Sequence, residues 1–173
     1  MKKISFLLLM ALCFGACQNK DTKTTDAETA DTTKYPYTFK KVQGWKINND
    51  HKNGLTALSI IKSFENMDTA TMGKLLADSV WFNLDGYKFK GTRIQFLNQI
   101  QGEFAKMSSF KIDMEDMASV INKDKSEEWV SLWYKQVTST KDGKIDTIQL
   151  YNDFKIKDGK VQGLSEYIQH PMK

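Results

Sequence analysis

The side chains that could act together on a small molecule lie in the C-terminal third of this sequence. Asp142-Gly143 and Asp158-Gly159 separate three β-rich runs, 127–138, 144–157 and 160–169. Such pairs mark tight hairpin turns. With each pair as a two-residue loop, Trp133 stands opposite Asn152, Asn152 opposite Ser165, and Leu150 opposite Tyr167. One sheet face then carries Trp129, Ser131, Trp133, Ile148, Leu150, Asn152, Phe154, Ser165 and Tyr167, with Lys135 as an exception. It is the more apolar face, so it is assigned to the concave, helix-facing side. A single bulge would exchange the faces beyond it.

Asn152 is then a polar side chain among apolar neighbours, and buried amides need partners. Either Asn152, Ser165 and Tyr167 orient a ligand against Trp133, or Asn152 bonds Ser165 or a buried water and binds nothing. An amide does not titrate near neutral pH and cannot serve as a general acid or base. Asp153 and Glu166 fall on the opposite face with Val130, Leu132, Tyr134 and Tyr151. No catalytic residue is assigned, and the reading leans away from an enzyme.

Other chemistry has little support. His51 and His170 lie at opposite ends of the domain without carboxylates at ligand spacing, so no metal site is expected. There is no phosphate loop and no Gly-x-Ser-x-Gly motif, and no cofactor is expected. The formal charge of +4 includes Lys2 and Lys3; without them 23 basic and 21 acidic side chains leave +2. Arg93 is the single arginine, and the lysines are interspersed with acids, which argues against a nucleic-acid groove.

The N-terminus carries a different signal. Lys2-Lys3 precedes an apolar run, Ile4 to Phe14, that ends in Gly15-Ala16-Cys17. The run is too short to span a bilayer as a helix and reads as a removed targeting segment. Its end resembles the lipobox of bacterial lipoproteins, which implies cleavage after residue 16 and acylation, for example by palmitate, at Cys17. Residues 17–34 form a polar tether, and residues 35–173 one domain. The charged Lys20-Asp21 pair resembles lipoprotein surface-export signals, so an outer-membrane anchor is expected, facing either side. With Cys13 removed and Cys17 lipidated, no thiol remains for a disulfide; the four tryptophans, Trp81 among them, are expected to serve the core.

The elements that must position the site follow from periodicity. Leu55, Leu58, Ile61 and Phe64 recur at helical spacing within 49–66, and Asp68 can cap a short second helix with Met72, Leu75 and Leu76 on its apolar side. A hairpin, 80–84 and 87–90, turns at Asp85-Gly86. Thr92 and Gln95 have capping-box spacing before a third helix with the stripe Phe96, Ile100, Phe104 and Met107. A strand from Phe110 loses its alternation near Asp116 and opens a four-strand antiparallel meander.

This order resembles the SnoaL-like group of the nuclear-transport-factor-2-like superfamily. The resemblance is carried by Leu58 to Phe64, by the run Leu75 to Phe82, by Gly91, and by Phe154-Lys155-Ile156-Lys157-Asp158-Gly159-Lys160-Val161. It implies an α+β fold, a cone-shaped curved antiparallel sheet packed on three N-terminal helices, with an apolar cavity. It also implies a homodimer through the convex face, where Leu132, Tyr134 and Tyr151 are candidates. Aligned on the last motif, Asn152 occupies the place of the cyclases' acid and Leu164 that of a common histidine. The expected function is therefore a lipid-anchored domain that binds a small apolar ligand or a protein partner without catalysis. The alternatives are an acid–base isomerase, cyclase or hydratase, or a structural subunit of an envelope complex.

Overall fold

Local chemistry sets the ends of the helices before any tertiary contact is counted. In the computed structural model, which describes residues 34–169, α1 (His51–Glu65) starts at Asp50, whose carboxylate accepts the Lys52 N–H. Asp68 opens α2 (Thr69–Leu75) in the same way, accepting from Thr71 N at 2.9 Å. Thr92 and Gln95 form the full capping box at the start of α3 (Arg93–Phe104), each side chain accepting the other residue's backbone N–H. Residues 34–39 form a small separate unit in which the Tyr35 and Phe39 rings meet edge to face. The lipidation candidate Cys17, the preceding targeting segment, the tether up to residue 33 and His170 lie outside the described residues.

The strands are β1 (Lys46–Ile47), β2 (Leu76–Leu84), β3 (Tyr87–Thr92), β4 (Met107–Ile121), β5 (Glu128–Thr140), β6 (Ile145–Lys157) and β7 (Lys160–Gln169). They form one sheet in the order β1-β4-β5-β6-β7-β2-β3. The expected meander is present as β4 to β7. The sheet is antiparallel except where β2 runs parallel to β7, which attaches the first hairpin. Helix α1 packs on β4, β5 and β7, and α3 on β2, β3 and β4, so the helices cover one side of the curved, unclosed sheet. Met107, expected at the end of the third helical stripe, instead begins β4. β4 does lose register between Met114 and Asp116.

Two turn details decide the faces. Asp158 and Gly159 both have positive φ and form a true two-residue loop between Lys157 and Lys160. Four residues on, Ile156 pairs with Val161 but Lys155 with Gly163, so Gln162 is an extra residue in β7. The Asp142-Gly143 loop is longer than expected: Thr140 N–H bonds Lys144 C=O (2.9 Å), which makes Lys141, Asp142 and Gly143 a three-residue loop with Gly143 at positive φ. Each irregularity shifts pairing by one residue. Trp133 faces Tyr151 across β5 and β6, and Asn152 faces Glu166 across β6 and β7.

Because side chains alternate with period two, both neighbours of β6 turn over. The expected concave placement of Ile148, Leu150, Asn152 and Phe154 stands. Trp129, Ser131, Trp133, Ser165 and Tyr167 lie on the outer face instead, and Val130, Leu132, Tyr134, Leu164 and Glu166 on the inner. Leu132 and Tyr134 are therefore core residues, unable to serve as convex-face contacts; only Tyr151 of that trio lies outside. Residues such as Leu132 and Phe154, essentially without exposed surface, each contribute about 1.5–3 kcal/mol by burial.

None of the four tryptophans is in this core. Trp81 lies flat over Gly163 and near Trp129 (6.2 Å between ring centroids), and its partner in sequence, Phe82, takes the inner position, stacked on Phe96 at 4.1 Å. A Cβ at residue 163 would overlap the Trp81 indole. Gly163→Ala is expected to lower stability by about 1–3 kcal/mol, with Trp81→Ala in the same chain offsetting part of the loss; urea midpoints of the single and double variants check this.

The edge of β4 is held by a charge. β1 reaches β4 only at Val120 and Ile121, and at Ile112 the edge N–H is taken by Glu65 Oε1 at 2.9 Å. Glu65 is also bonded by Lys62 Nζ (2.6 Å), and this bond, with the one from Ile112, holds its carboxyl below the ordinary range against the opposing effect of desolvation. A depressed carboxyl stabilises the fold above its unfolded pKa, and that stabilisation is lost as pH falls through the folded pKa. Glu65→Ala is expected to cost about 1–2 kcal/mol at pH 7, with the difference from wild type disappearing in acid, as measured by urea unfolding across pH.

Candidate functional site

Between the helices and the inner sheet face lies a cavity of about 350 Å³. Its wall is mostly apolar: Ile60, Ile61 and Phe64 from α1, Met72 from α2, Phe96, Ile100 and Phe104 from α3, and Phe82, Phe110, Ile148, Leu150, Phe154 and Leu164 from the sheet. Of the helical stripes read from the sequence, Ile61, Phe64, Met72, Phe96, Ile100 and Phe104 line this wall, whereas Leu55 at the start of the first stripe is exposed.

Of the polar side chains in the wall, Glu103, Tyr134, Gln136, Thr138, Asn152 and Glu166, three form a connected group: Tyr134, Asn152 and Glu166. Asn152 on β6 is 1 % exposed, and its Nδ2 donates to the hydroxyl of Tyr134 on β5 at 2.7 Å. Glu166 on β7 is the direct cross-strand partner of Asn152. Burial raises the Glu166 carboxyl above its ordinary range; a hydrogen bond with Asn152 partly opposes this, and the charge of Asp85 at the β2–β3 turn adds to it. Tyr134 is raised as well, by burial first and by Glu166 second. Tyr134 is therefore a neutral hydroxyl at physiological pH, and Glu166 is the group in the trio that can change its protonation.

The amide oxygen Asn152 Oδ1 has no partner among the described residues. A second buried asparagine shows the contrast. Asn122 donates to Ser126 Oγ (3.0 Å) and Gln43 Oε1 (3.4 Å) and accepts from Glu127 N (3.0 Å), which closes the β4–β5 loop. Asn122 is satisfied by its own fold, whereas Asn152, a residue of the cavity wall, keeps an acceptor without a partner. An open acceptor at such depth costs about 1–3 kcal/mol until something donates to it.

The residues named from the sequence are not gathered together. Asn152 lines the cavity; Trp133, Ser165 and Tyr167 are on the far side of the sheet. There Trp133, Tyr151 and Tyr167 form a row of rings across β5, β6 and β7, with centroids 5.0 and 5.7 Å apart. Tyr151 donates to Ser131 (3.2 Å), which donates to Asp153. Glu166 and Tyr134 were missed because the two one-residue register changes reverse their faces; the extra residue that re-aims Glu166 is Gln162, which has no turn-forming composition. His51 sits at the start of α1, remote from the cavity wall. Among the described residues, no three His, Cys, Asp or Glu side chains converge as a metal site.

The cavity geometry belongs to a known architecture. The fold is nuclear-transport-factor-2-like. The chain superposes on an NTF2-like protein of unknown function from Burkholderia pseudomallei (TM-score 0.55, 12% identity, 68% of this chain and 91% of the other). It also superposes on an LEH-like epoxide hydrolase from M. tuberculosis (0.57, 12%, 68% and 83%). AusH from Aspergillus nidulans gives 0.57 at 16% identity over 74% and 90%. No family model matches the sequence, and no curated protein does. At these identities the likeness is one of fold, a fold that hosts enzymes and proteins without assigned activity alike.

Glu166 leaves a thermodynamic signature. An acid raised in the folded state is protonated there while the unfolded chain has already ionised, so folding stability falls as pH rises from the ordinary carboxylate range through the folded pKa. Glu166→Gln removes that loss. It is expected to be more stable than wild type at neutral pH and equal to it in acid, as read from thermal midpoints between pH 4 and 8.

Proposed function

We propose that the cavity is an acid–base site that moves a proton on a small, mostly apolar molecule. The observation that carries this is Glu166: a carboxyl held inside an apolar cavity, raised by burial, beside an amide and a hydroxyl that can orient a substrate. The carboxylate takes a proton from one position of the substrate and returns it to another. An isomerisation or cyclisation of this kind balances without a co-reactant, and a hydration needs only a water. Tyr134 and Asn152 hold the substrate; Glu166 does the chemistry. The epoxide hydrolase among the structural neighbours supports the reading by fold alone.

The proton transfer is tested with 5-nitrobenzisoxazole, a small apolar probe whose isoxazole ring opens at the N–O bond when a base removes the proton on C3. The rate is expected to rise with pH as Glu166 ionises and to fall by at least about 100-fold in Glu166→Gln. A rate equal in the two proteins overturns the reading.

A second reading is binding without turnover. It is favoured by Tyr134, whose hydroxyl is pushed upward and leaves Glu166 as the one member of the trio that readily titrates. It is distinguished by a guest that copurifies with both wild type and Glu166→Gln, seen by native mass spectrometry, together with no ring opening of the probe.

The setting completes the proposal. The domain is held at the outer membrane by lipid on Cys17, and two copies pair through the outer-face row Trp133, Tyr151 and Tyr167. The lipobox-like run ending at Cys17 supports the first, and the ring row supports the second. Cys17→Ser is expected to abolish palmitate labelling and to move the protein from the detergent phase to the aqueous phase.

A further inference from the structure

The cavity wall is chemically one-sided. Among the described residues, its ionisable side chains are Glu103, Tyr134 and Glu166, with no lysine, arginine or histidine in the lining. Lys106 pairs with Glu103 (2.8 Å) but is not part of the lining. No described residue of the wall offers a cation to a bound anion, and Asp85 adds negative potential at Glu166. A carboxylate or phosphate entering this cavity would lose its hydration and meet only like charge.

The hydrogen-bonding groups point the same way. Asn152 Oδ1 is an acceptor with no donor, on a side chain that is 1 % exposed. Two residues along the neighbouring strand from the cross-strand partner of Asn152, the Tyr134 hydroxyl accepts from Asn152 Nδ2 and keeps its own proton to give away. The pair therefore presents one acceptor and one donor, side by side, in an apolar chamber. A hydroxyl is the smallest neutral group that answers both, donating to Asn152 Oδ1 and accepting from Tyr134 Oη–H. A carbonyl or ether oxygen can accept from Tyr134 and leaves Asn152 Oδ1 unsatisfied.

We infer that the molecule bound here is a neutral apolar alcohol, its hydroxyl seated on Asn152 Oδ1 and Tyr134 Oη, and that this pair selects against anionic lipids such as fatty acids. This names the ligand class for the acid–base site proposed above, but its test involves no proton transfer to carbon, so the two fail separately.

Three probes of matched length decide it by calorimetry at pH 8: 1-octanol, heptyl methyl ether and octanoate. Octanol is expected to bind at least about tenfold tighter than the ether, which cannot donate, because the ether leaves a buried acceptor open. Octanoate is expected to bind weaker than either. Asn152→Leu should abolish the octanol-over-ether preference while the ether binds as well as before. Octanoate binding as tightly as octanol, an ether equal to octanol in the wild type, or a preference that survives Asn152→Leu would each overturn the inference. The wild-type comparison stands by itself if Asn152→Leu does not fold.

Discussion

Side chains alternate across a β-strand, and every polar feature of this cavity depends on that period of two. β6 is the reference strand, with Leu150, Asn152 and Phe154 turned toward the helices. Whether its neighbours show the cavity a tryptophan and a tyrosine, or a tyrosine and a glutamate, is settled by two single residues. One is the third residue of the Lys141–Gly143 loop, and the other is Gln162, the bulge of β7. A bulge inserts a residue without a partner and reverses the face of everything beyond it. Glu166 faces inward for that reason.

The inward glutamate then sets the energetics of the site. Desolvation disfavours its charge, and the Asn152 amide returns part of the loss. Asn152 is in turn committed to Tyr134 through Nδ2, which leaves its oxygen open. The cavity thus stores two unfavourable features, a raised acid and an unpaired acceptor, in a wall that is otherwise well packed. Folded proteins leave few such features unsatisfied, and those that remain tend to mark sites of function. Asn122, which uses its amide to close a loop and leaves nothing open, shows what the same residue type does when it serves structure alone.

The outer face has a separate logic. Trp81 covers Gly163, Trp129 stands beside it with Lys155 over its ring, and the Trp133-Tyr151-Tyr167 row runs across three strands. The aromatic residues of the sheet and helices divide between two sides: Phe82, Phe96, Phe104, Phe110 and Phe154 fill the interior, whereas tryptophans, with a polar N–H and large area, lie outside. Tyr167, 58 % exposed, keeps that surface in contact with solvent in the single chain.

Much of the fold was legible in the residues alone. The caps at Asp68 and Thr92, the three Asp-Gly turns, the helical stripes and the break near Asp116 each have a local cause, and local causes are written in adjacent residues. The α+β class and the order of elements follow from them. Asn152 was legible as a cavity residue because its own strand alternates cleanly. The partners of Asn152 were not, since register across a hairpin changes with one residue of loop or bulge, and neither the third loop residue nor Gln162 has a composition that announces it. The parallel pairing of β2 with β7 was equally out of reach, because it joins segments some eighty residues apart that no single turn connects. Sequence by itself determined which side chains the protein has to work with and the local shapes they impose. Tertiary structure alone decided which of them meet, because facing across a sheet is a property of pairing between strands.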